Sequence, residues 1–256
     1  MSTQPPRPTA EQAAGQDKAQ QVREMFGAIA RRYDLLNRLL SLGIDRSWRT
    51  QATRVALART PAAPRVLDVA TGTADLALAL KRAEPSAEVI GVDFVPEMLE
   101  LGRAKAAKCG LAVRLEQGDG LALPYPDESF HALTIAYGLR NFADYEAGLA
   151  EFYRVLKPGG RLVVLEFPPP PEGVFGQLFR FYFLRVVPIL GGLLSGRRSA
   201  YTYLPDSVLK FPKPPELARM LEGAGFEDVH YTLQTLGVSA LHVGDKVDPT
   251  RRDTAR

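Results

Sequence analysis

The chain has 256 residues, of which 46% are apolar and 24% are charged. This is the ordinary balance of a soluble globular protein with a substantial core, and it excludes global disorder. The 32 Lys and Arg residues outnumber the 29 Asp and Glu residues only slightly, so nucleic acid is not an expected partner. The single cysteine, Cys109, excludes an internal disulfide, and three histidines far apart in the sequence do not favour a metal site.

Apolar residues at helical spacing predict two N-terminal helices, over 20–40 and 46–59. From residue 65 onwards, short strands alternate with helices. The predicted strands are 65–70, 88–92, 113–116, 130–136, 161–167, 226–233 and 238–243. The predicted helices between them are 74–82, 96–109, 145–156 and 214–222. This alternation is typical of an α/β protein with a parallel sheet, and the closely spaced final strands predict a hairpin that adds an antiparallel strand.

We expect one domain over 21–243, with a helical N-terminal extension at 21–60 and an apolar insertion at about 168–213. Flexible polar tails are expected at 1–20 and 244–256. The N-terminus lacks a signal-peptide pattern, and no uncharged apolar run reaches the roughly 18 residues of a membrane span. The protein is therefore expected in the cytoplasm, with peripheral contact at the inner face of the cell membrane.

The insertion contains the most apolar segment of the chain, 174–194, which two arginines interrupt. Helical spacing predicts a wide apolar face that includes Phe175, Phe179 and Phe183. Such a face suits a polyprenyl chain or a membrane surface. Ordinary core packing is the alternative explanation.

Polar residues occur at the end of the first predicted strand, where parallel sheets bind their ligands. Asp68 lies within this strand, and Gly72 and Thr73 follow it in a turn. Gly72 lets a ligand approach the backbone, and Thr73 offers a hydroxyl at the start of a helix. Because the turn lacks the G-x-G-x-x-G pattern, it does not indicate pyrophosphate binding.

Acidic residues also follow the second and third strands. Asp93, twenty residues beyond Thr73, can accept hydrogen bonds from both hydroxyls of a ribose. Asp119 and Gly120 follow the third strand, where a carboxylate can accept a hydrogen bond from the adenine amine. Three strand ends in succession predict an adenosine ligand without a phosphate loop, and S-adenosylmethionine fits this description. Helix capping is the alternative explanation for Asp93.

Several longer segments are more specific than these single residues. They are MFGAIARRYDLLNRLLSLGIDRSWR from Met25, LDVATGTADL from Leu67, ALPYPDESF from Ala122, YGLRNF from Tyr137, YRVLKPGGRLVVLEF from Tyr153 and GAGFEDV from Gly223. Together they closely resemble the ubiquinone/menaquinone biosynthesis C-methyltransferases over roughly residues 22–244. The LKPGG turn is shared by many methyltransferases, whereas YDLLN, LGIDRSWR and GLRN are specific to this family.

The resemblance implies a Rossmann-like class I methyltransferase with a seven-stranded sheet, S-adenosylmethionine as the methyl donor, and no metal. The chain departs from the family pattern at Ala136, where a serine hydroxyl is common, and at Asp119–Gly120, where Asn-Ala is usual. The residues that we assign to the cofactor are Asp68, Gly72, Thr73, Asp93, Asp119 and Gly120.

Methyl transfer to carbon requires an electron-rich ring carbon in line with the sulfonium methyl group, and a deprotonated hydroquinol provides one. Arg140 and Asn141 follow the fourth strand, at the same sheet edge as the predicted cofactor site. Arg140 could stabilise the developing oxyanion or orient a water, and Asn141 could fix the quinol oxygen. Tyr33 and Asp34 could close over the site. A salt bridge for Arg140 and simple packing for Tyr33 are the alternative explanations.

The resemblance also implies C-methylation of a polyprenylated quinol. The segment Gly72-Thr73-Ala74-Asp75 favours the menaquinone branch, in which demethylmenaquinol becomes menaquinol. The alternatives are methylation of 2-polyprenyl-6-methoxy-1,4-benzoquinol in the ubiquinone pathway, and a non-catalytic assembly subunit that binds cofactor and lipid. The expected partners are the polyprenylated quinol, a membrane surface and a second copy of the chain in a homodimer.

Overall fold

A seven-stranded sheet forms the centre of the computed structural model, which describes residues 20–30, 34, 38, 41, 43–187, 189 and 198–249. Its strands are β1 (Arg65–Val69), β2 (Glu88–Asp93), β3 (Arg114–Gln117), β4 (Phe130–Ala136), β5 (Leu156–Glu166), β6 (Phe226–Gln234) and β7 (Ser239–Lys246). The helices are α1 (20–30), α2 (Asp45–Leu57), α3 (Asp75–Ala83), α4 (Pro96–Cys109), α5 (Tyr145–Val155), α6 (Val174–Phe181), α7 (Arg198–Lys210) and α8 (Pro214–Gly223). Shorter helical turns are Leu139–Asn141, Tyr182–Val186 and Thr235–Gly237.

The strands are ordered β3-β2-β1-β4-β5-β7-β6. Strands β1 to β5 pair in parallel, and β7 pairs antiparallel with both β5 and β6. The prediction of a mostly parallel α/β sheet with an antiparallel final strand is therefore confirmed. Strand β7 runs opposite to β6 because the connection between them, Thr235–Gly237, is short, and a tight turn can join only antiparallel neighbours.

Both faces of the sheet are buried, which explains the near-continuous apolar sequence of its central strands. Adjacent residues of β1 belong to different hydrophobic clusters, because successive side chains of a strand point to opposite faces. Leu67 packs in a cluster with residues of α5 and α8, and Val66 in a cluster with residues of α2, α3 and α4. The helices therefore fix the sheet from both sides and leave the strand ends open.

Two element boundaries differ from the prediction. Strand β5 begins at Leu156, five residues earlier than expected, because Leu156 pairs with Phe130 and the ladder continues through the LKPGG segment with a register shift. Strand β7 extends to Lys246, which pairs with Phe226. The domain therefore continues three residues beyond the expected boundary at 243.

The described part of the insertion packs against α1. Phe183 and Val187 form a small buried cluster with Ile29 of α1 and Val208 of α7. Phe179 stacks on Phe183, with ring centroids 5.6 Å apart. Core packing therefore explains these two phenylalanines, and the expectation that they belong to an open apolar face is wrong. Among the described residues of the insertion, the exposed large apolar side chains are Val174, Leu178, Phe181 and Ile189, here called the exposed apolar surface.

Across the described ranges, we find no helix with the length and apolar character needed to cross a bilayer. In the same ranges, no group of three or more His, Cys, Asp or Glu side chains is placed to hold a metal ion. Several predicted features lie outside the described residues. They are the tail segments 1–19 and 250–256, Tyr33 and most of 31–40 in the first predicted helix, 190–197 of the insertion, and the side chain of Phe175.

Candidate active site

The candidate site is a cleft at the carboxyl ends of β1 and β4, where the strand order of the sheet changes direction. The cleft is shallow and opens to solvent. Its lining residues are Arg49, Asp68, Ala70, Thr71, Gly72, Thr73, Asp75, Leu76, Ala136 and Tyr137.

The backbone around the cleft adopts sparsely populated conformations. Ala70, Ala74 and Tyr137 have φ angles of +50°, +66° and +58°, a region that costs a non-glycine residue about 1–3 kcal/mol. Such angles persist only where the surrounding structure fixes them, and they cluster at functional sites. One such constraint is at Gly138, where an added Cβ would lie 2.4 Å from the Cβ of Ala70. The loops after β1 and β4 are therefore in close contact.

Asp68 is almost fully buried at the end of β1. Its Oδ2 accepts a 2.6 Å hydrogen bond from the Thr71 hydroxyl, and its Oδ1 accepts a 2.6 Å bond from the Thr134 hydroxyl of β4. Burial raises the pKa of Asp68 to about 6, although both hydroxyls and the Arg49 guanidinium oppose this shift. The carboxylate thus ties the β1 loop to β4 beneath the cleft.

Asp93 is buried at the end of β2 and joins this strand to the β1 loop. Its Oδ2 accepts the backbone N–H of Gly72 at 2.7 Å, and its Oδ1 accepts that of Val95 at 2.8 Å. Burial raises the pKa of Asp93, and these backbone bonds oppose the shift. Gly72 has a φ of +56°, and no atom lies within 4 Å of the position that a Cβ would take. The space above the turn is therefore open to a ligand.

Asp119 and Gly120 follow β3, two strands away from β1. The exposed Asp119 accepts the backbone N–H of Leu121 at 2.9 Å. A Cβ at Gly120 would lie 2.4 Å from the Cζ of Phe142, so a larger residue does not fit there without movement of the ring. Neither Asp119 nor Gly120 lines the cleft, although a Cβ at Gly120 would also lie 3.1 Å from Val69 at the end of β1.

Thr73 lines the cleft, but its hydroxyl is bonded within the protein. It donates to Asp34 Oδ1 at 2.5 Å and accepts from Lys105 Nζ at 2.8 Å. The same ammonium group pairs with Asp34 at 2.5 Å and with Asp75 at 2.6 Å. This polar cluster connects the N-terminal segment, the β1 loop and α4. The contact between Thr73 and the cofactor stays a prediction.

Arg140 is buried rather than placed among the residues that line the cleft. Its Nη1 lies 3.0 Å from Glu166 Oε2 and also donates to the carbonyl of Tyr137. The salt bridge that was the alternative explanation for Arg140 is therefore present. A role of Arg140 at the quinol stays a prediction.

Asn141 and Tyr33 are the two other residues assigned to catalysis, and the structure describes only Asn141. Asn141 Oδ1 accepts a 3.1 Å hydrogen bond from the Tyr203 hydroxyl of α7, so the insertion reaches the end of β4. Tyr33 lies outside the described residues, and its role stays a prediction.

A comparison with models of protein families shows to which family the chain belongs. Residues 14–246 match the model of the ubiE/COQ5 methyltransferase family, and this match covers most of the chain. The chain belongs to this family. Its identity to the demethylmenaquinone methyltransferase of Deinococcus radiodurans is 58%, over 90% of this chain and 95% of that protein. Its identity to the demethylmenaquinone methyltransferase of Thermus thermophilus is 60%, over 87% of this chain and 100% of that protein.

A third relative of this ubiE/COQ5 chain has a broader name. Identity to the ubiquinone/menaquinone biosynthesis C-methyltransferase of Geobacter sulfurreducens is 48%, over 90% of each chain. Solved structures support the fold assignment. A methyltransferase of Thermotoga maritima, which depends on S-adenosylmethionine, superposes with a TM-score of 0.60 at 20% identity, over 88% of this chain and 99% of that chain. The [4+2]-cyclase SpnF superposes with a TM-score of 0.64 at 18% identity, over 96% and 99%. Because a cyclase shares the architecture, fold alone does not identify the reaction.

The hydrogen-bond acceptors at the strand ends fit S-adenosylmethionine, the cofactor that the family and the fold imply. Carboxylates stand at the ends of β2 and β3, where they can accept hydrogen bonds from the hydroxyls of a ribose and the amine of an adenine. Asp93 Oδ2 accepts the Gly72 N–H and Asp93 Oδ1 accepts the Val95 N–H, and a carboxylate has about four acceptor positions. The open turn at Gly72 lines the cleft and is bonded to Asp93 through its backbone N–H.

Sequence reasoning missed Arg49, Glu166 and Tyr203. Arg49 lies in the segment LGIDRSWR, and because that segment is specific to the ubiE/COQ5 family, it was a usable signal. Glu166 ends an apolar strand, and Tyr203 lies in the insertion. No local pattern indicates that they meet Arg140 and Asn141, which are 26 and 62 residues away.

Proposed function

We propose that the chain methylates a ring carbon of demethylmenaquinol, with S-adenosylmethionine as the methyl donor, in menaquinone biosynthesis. The observation that carries this proposal is the 58% and 60% identity to two demethylmenaquinone methyltransferases along nearly their whole length. The 48% identity to a relative named for both quinones favours one second candidate, the methylation of 2-polyprenyl-6-methoxy-1,4-benzoquinol.

The cofactor supplies an electrophilic methyl group on a sulfonium sulfur. In this proposal, Asp93 accepts the ribose hydroxyls, and Asp119 and Gly120 border the adenine. Gly72 and Thr73 form the turn beneath the cofactor, and Asp68 keeps this turn fixed to β4 through its two threonine partners. These residues would hold the cofactor at the carboxyl ends of the strands, beside the loop that follows β4.

The acceptor is placed beside the loop that follows β4. Arg140 stabilises the negative charge that develops on the quinol oxygen, and Glu166 holds the guanidinium in one orientation. Because Asn141 Oδ1 accepts the Tyr203 hydroxyl, the Asn141 amide group is the part that can donate to a quinol oxygen. Tyr33, which lies outside the described residues, keeps the catalytic role assigned to it from the sequence.

The protein acts in the cytoplasm at the inner face of the cell membrane, where a polyprenylated quinol resides. The exposed apolar surface supports this proposal, since Val174, Leu178, Phe181 and Ile189 are 84%, 66%, 61% and 61% exposed. Two exposed cations of the same segment, Arg180 and Arg185, suit an anionic lipid surface. A second copy of the chain is the alternative partner for this surface.

The test is an assay of purified protein with isotopically labelled S-adenosylmethionine and each of the two quinol precursors, kept reduced. We expect label in menaquinol and less than about one tenth of that rate with the benzoquinol. Preferential methylation of the benzoquinol would move the chain to the ubiquinone pathway. Cofactor binding without transfer to either quinol would favour the non-catalytic assembly subunit.

A further inference from the structure

Arg49 of α2 lines the cleft and takes no part in the function proposed above. Its side chain is only 12% exposed, and its guanidinium carbon lies 5.6 Å from the ring centroid of Tyr137. Its Nη1 pairs with Asp45, one helical turn earlier. Asp45 in turn accepts a 2.8 Å hydrogen bond from the Ser41 hydroxyl. The guanidinium is thus held in place at the edge of the cleft.

The pairing with Asp45 leaves most of the donors of Arg49 available. A guanidinium has five N–H donors, and within the described part of the chain Asp45 is its hydrogen-bond partner. None of the Arg49 nitrogens is among the buried side-chain atoms that lack a partner. The nitrogens that do not bond to Asp45 are therefore reached by solvent, as expected for a group that faces an open cleft.

The charges that line the cleft are of both signs. Arg49 is the cation among the lining residues, and Asp68 and Asp75 are the acids. Both acids already have partners, because Asp68 accepts two threonine hydroxyls and Asp75 pairs with Lys105. A ligand that brings a carboxylate into this cleft would therefore meet a donor in Arg49.

The strand order determines which end of the cofactor reaches Arg49. The carboxylates assigned to ribose and adenine follow β2 and β3, and Arg49 lines the cleft at the ends of β1 and β4. With neighbouring strands about 4.8 Å apart, the four strand ends span roughly 15 Å. A cofactor with its adenosine over β2 and β3 must extend its amino-acid end toward β1 and β4, where Arg49 lies.

We propose that Arg49 binds the α-carboxylate of the methionine part of S-adenosylmethionine. This proposal rests on the proposed function, because it takes S-adenosylmethionine as the cofactor. A planar guanidinium matches a carboxylate through two parallel N–H···O bonds. Asp45 acts as a positioning residue that holds the guanidinium toward the cleft, and the acids Asp68 and Asp75 have the sign that suits the neighbouring α-ammonium group.

The test compares two ligands that differ only in this carboxylate, S-adenosylmethionine and decarboxylated S-adenosylmethionine, by calorimetric titration without a quinol. We expect Arg49→Gln to weaken the binding of S-adenosylmethionine by roughly 10- to 100-fold, the effect of losing hydrogen bonds between charged groups. The affinity for the decarboxylated ligand should change by less than about threefold. Arg49→Lys should give an intermediate loss, because Lys keeps the charge and lacks the planar fork.

Arg46→Gln is the matched control, since it removes a cation from an exposed position of the same helix and leaves the Arg49–Asp45 pair in place. We expect it to change the affinity for S-adenosylmethionine by less than about threefold. If Arg49→Gln leaves the uncompensated Asp45 charge and unfolds the protein, the double variant Asp45→Asn/Arg49→Gln removes that charge and is titrated instead.

Three results would overturn the proposal. The first is an equal loss of affinity for both ligands in Arg49→Gln, which would mean that Arg49 supports the pocket without touching the carboxylate. The second is a loss in Arg46→Gln as large as that in Arg49→Gln, which would assign the effect to the general positive charge of α2. The third is wild-type protein that binds neither ligand, and this result alone would also overturn the proposed function.

Discussion

The carboxylate of Glu166 holds the guanidinium of Arg140 in an ion pair that is shielded from water. The two side chains are 1% and 4% exposed, and their charged atoms lie 3.0 Å apart. Glu166 also accepts the backbone N–H groups of Arg140 at 3.2 Å and Phe167 at 3.1 Å. Burial raises the pKa of Glu166, and Arg140 opposes this shift. The pair therefore fixes the loop after β4 to the end of β5.

We predict that Arg140→Ala lowers kcat by roughly 100-fold, the effect of losing a donor to a developing oxyanion. The affinity for S-adenosylmethionine should change by less than about threefold, because the proposed contact of Arg140 is with the quinol. Steady-state kinetics with demethylmenaquinol and calorimetric titration of the cofactor measure the two effects separately.

The stability of this variant must be measured first, because breaking a buried ion pair costs about 3–5 kcal/mol. Arg140→Lys is the matched variant, since it keeps the charge and loses the planar fork. Glu166→Gln leaves Arg140 in place and should cost less activity than Arg140→Ala. Equal losses of kcat and cofactor affinity in folded Arg140→Ala would show that Arg140 only supports the pocket.

Asp93→Ala should weaken the binding of S-adenosylhomocysteine by about 1.5–3 kcal/mol, the contribution of hydrogen bonds to a charged group. Part of this loss comes from the turn itself, because the variant also leaves the Gly72 N–H without its carboxylate partner. Asp93→Asn keeps one acceptor oxygen and should lose less. The measurement is calorimetric titration, and an unchanged affinity in Asp93→Ala would remove Asp93 from the site.

A buried histidine gives the protein a defined dependence of stability on pH. His242 is 2% exposed, and its Nε2 donates to the Pro214 carbonyl at 3.0 Å. Burial lowers the pKa of His242 from its ordinary 6.5 to about 4. The unfolded chain therefore binds a proton at a pH where the folded protein does not, so stability is lost as the pH falls through 6.5 toward 4.

We expect His242 to account for roughly 2 kcal/mol of the stability that is lost between pH 7 and pH 5. Urea denaturation at both pH values measures this loss. His242→Gln does not titrate and should remove this part of the slope, while His230→Gln, at an exposed position, should keep it. The same slope in wild type and His242→Gln would contradict the assignment.

The strands and their open ends could be predicted because each depends on neighbours in the sequence. In β1 and β2, short apolar runs end at Asp68 and Asp93, and the alternation with helices predicts that both ends meet at one edge. The contacts between distant segments could not be predicted in this way. Arg140 meets Glu166 across 26 residues, and nothing in the strand that carries Glu166 distinguishes a buried ion pair from an ordinary terminal carboxylate.

In the insertion, the sequence could not predict which apolar side chains are buried and which are exposed. Helical spacing places Leu178, Phe179 and Phe183 on a broad apolar face, but it does not show which part of that face meets another helix. The packing of α1 and α7 decides this, because it buries Phe183 and leaves Leu178 exposed.

Lys105 is expected to stabilise the β1 loop through a salt-sensitive cluster. Its ammonium group pairs with Asp34 and Asp75, whose side chains are 32% and 36% exposed. Because solvent screens such pairs, Lys105→Met should cost about 1 kcal/mol or less, and the loss should shrink in 1 M salt. Thermal melting at low and high salt measures it, with Lys108→Met as an exposed control on the same helix. A loss that does not depend on salt would assign Lys105 to packing instead.

The exposed apolar surface should bind the membrane rather than the cofactor. Val174, Leu178 and Phe181 recur at intervals of four and three residues, so they lie on one face of α6. We predict that the double variant Leu178→Ser/Phe181→Ser lowers partition onto vesicles of phosphatidylglycerol and phosphatidylcholine by about 30- to 100-fold. This corresponds to about 2–3 kcal/mol for the exposed area of two large apolar side chains. Vesicle sedimentation measures the partition.

The same double variant should raise the KM for a long-tailed quinol and leave the KM for a water-soluble, short-tailed quinol almost unchanged. Gln177→Ser is the matched control, because it is exposed on the same helix and removes no apolar area. Phe183→Ser should instead unfold the insertion, since this side chain is buried against α1. Unchanged vesicle binding, together with a shift from dimer to monomer in size-exclusion chromatography, would assign the surface to a second copy of the chain. An equal loss of activity on both quinols in the folded double variant would mean that α6 supports the active site itself, because a surface that binds only the tail or the lipid cannot affect an acceptor that lacks a tail.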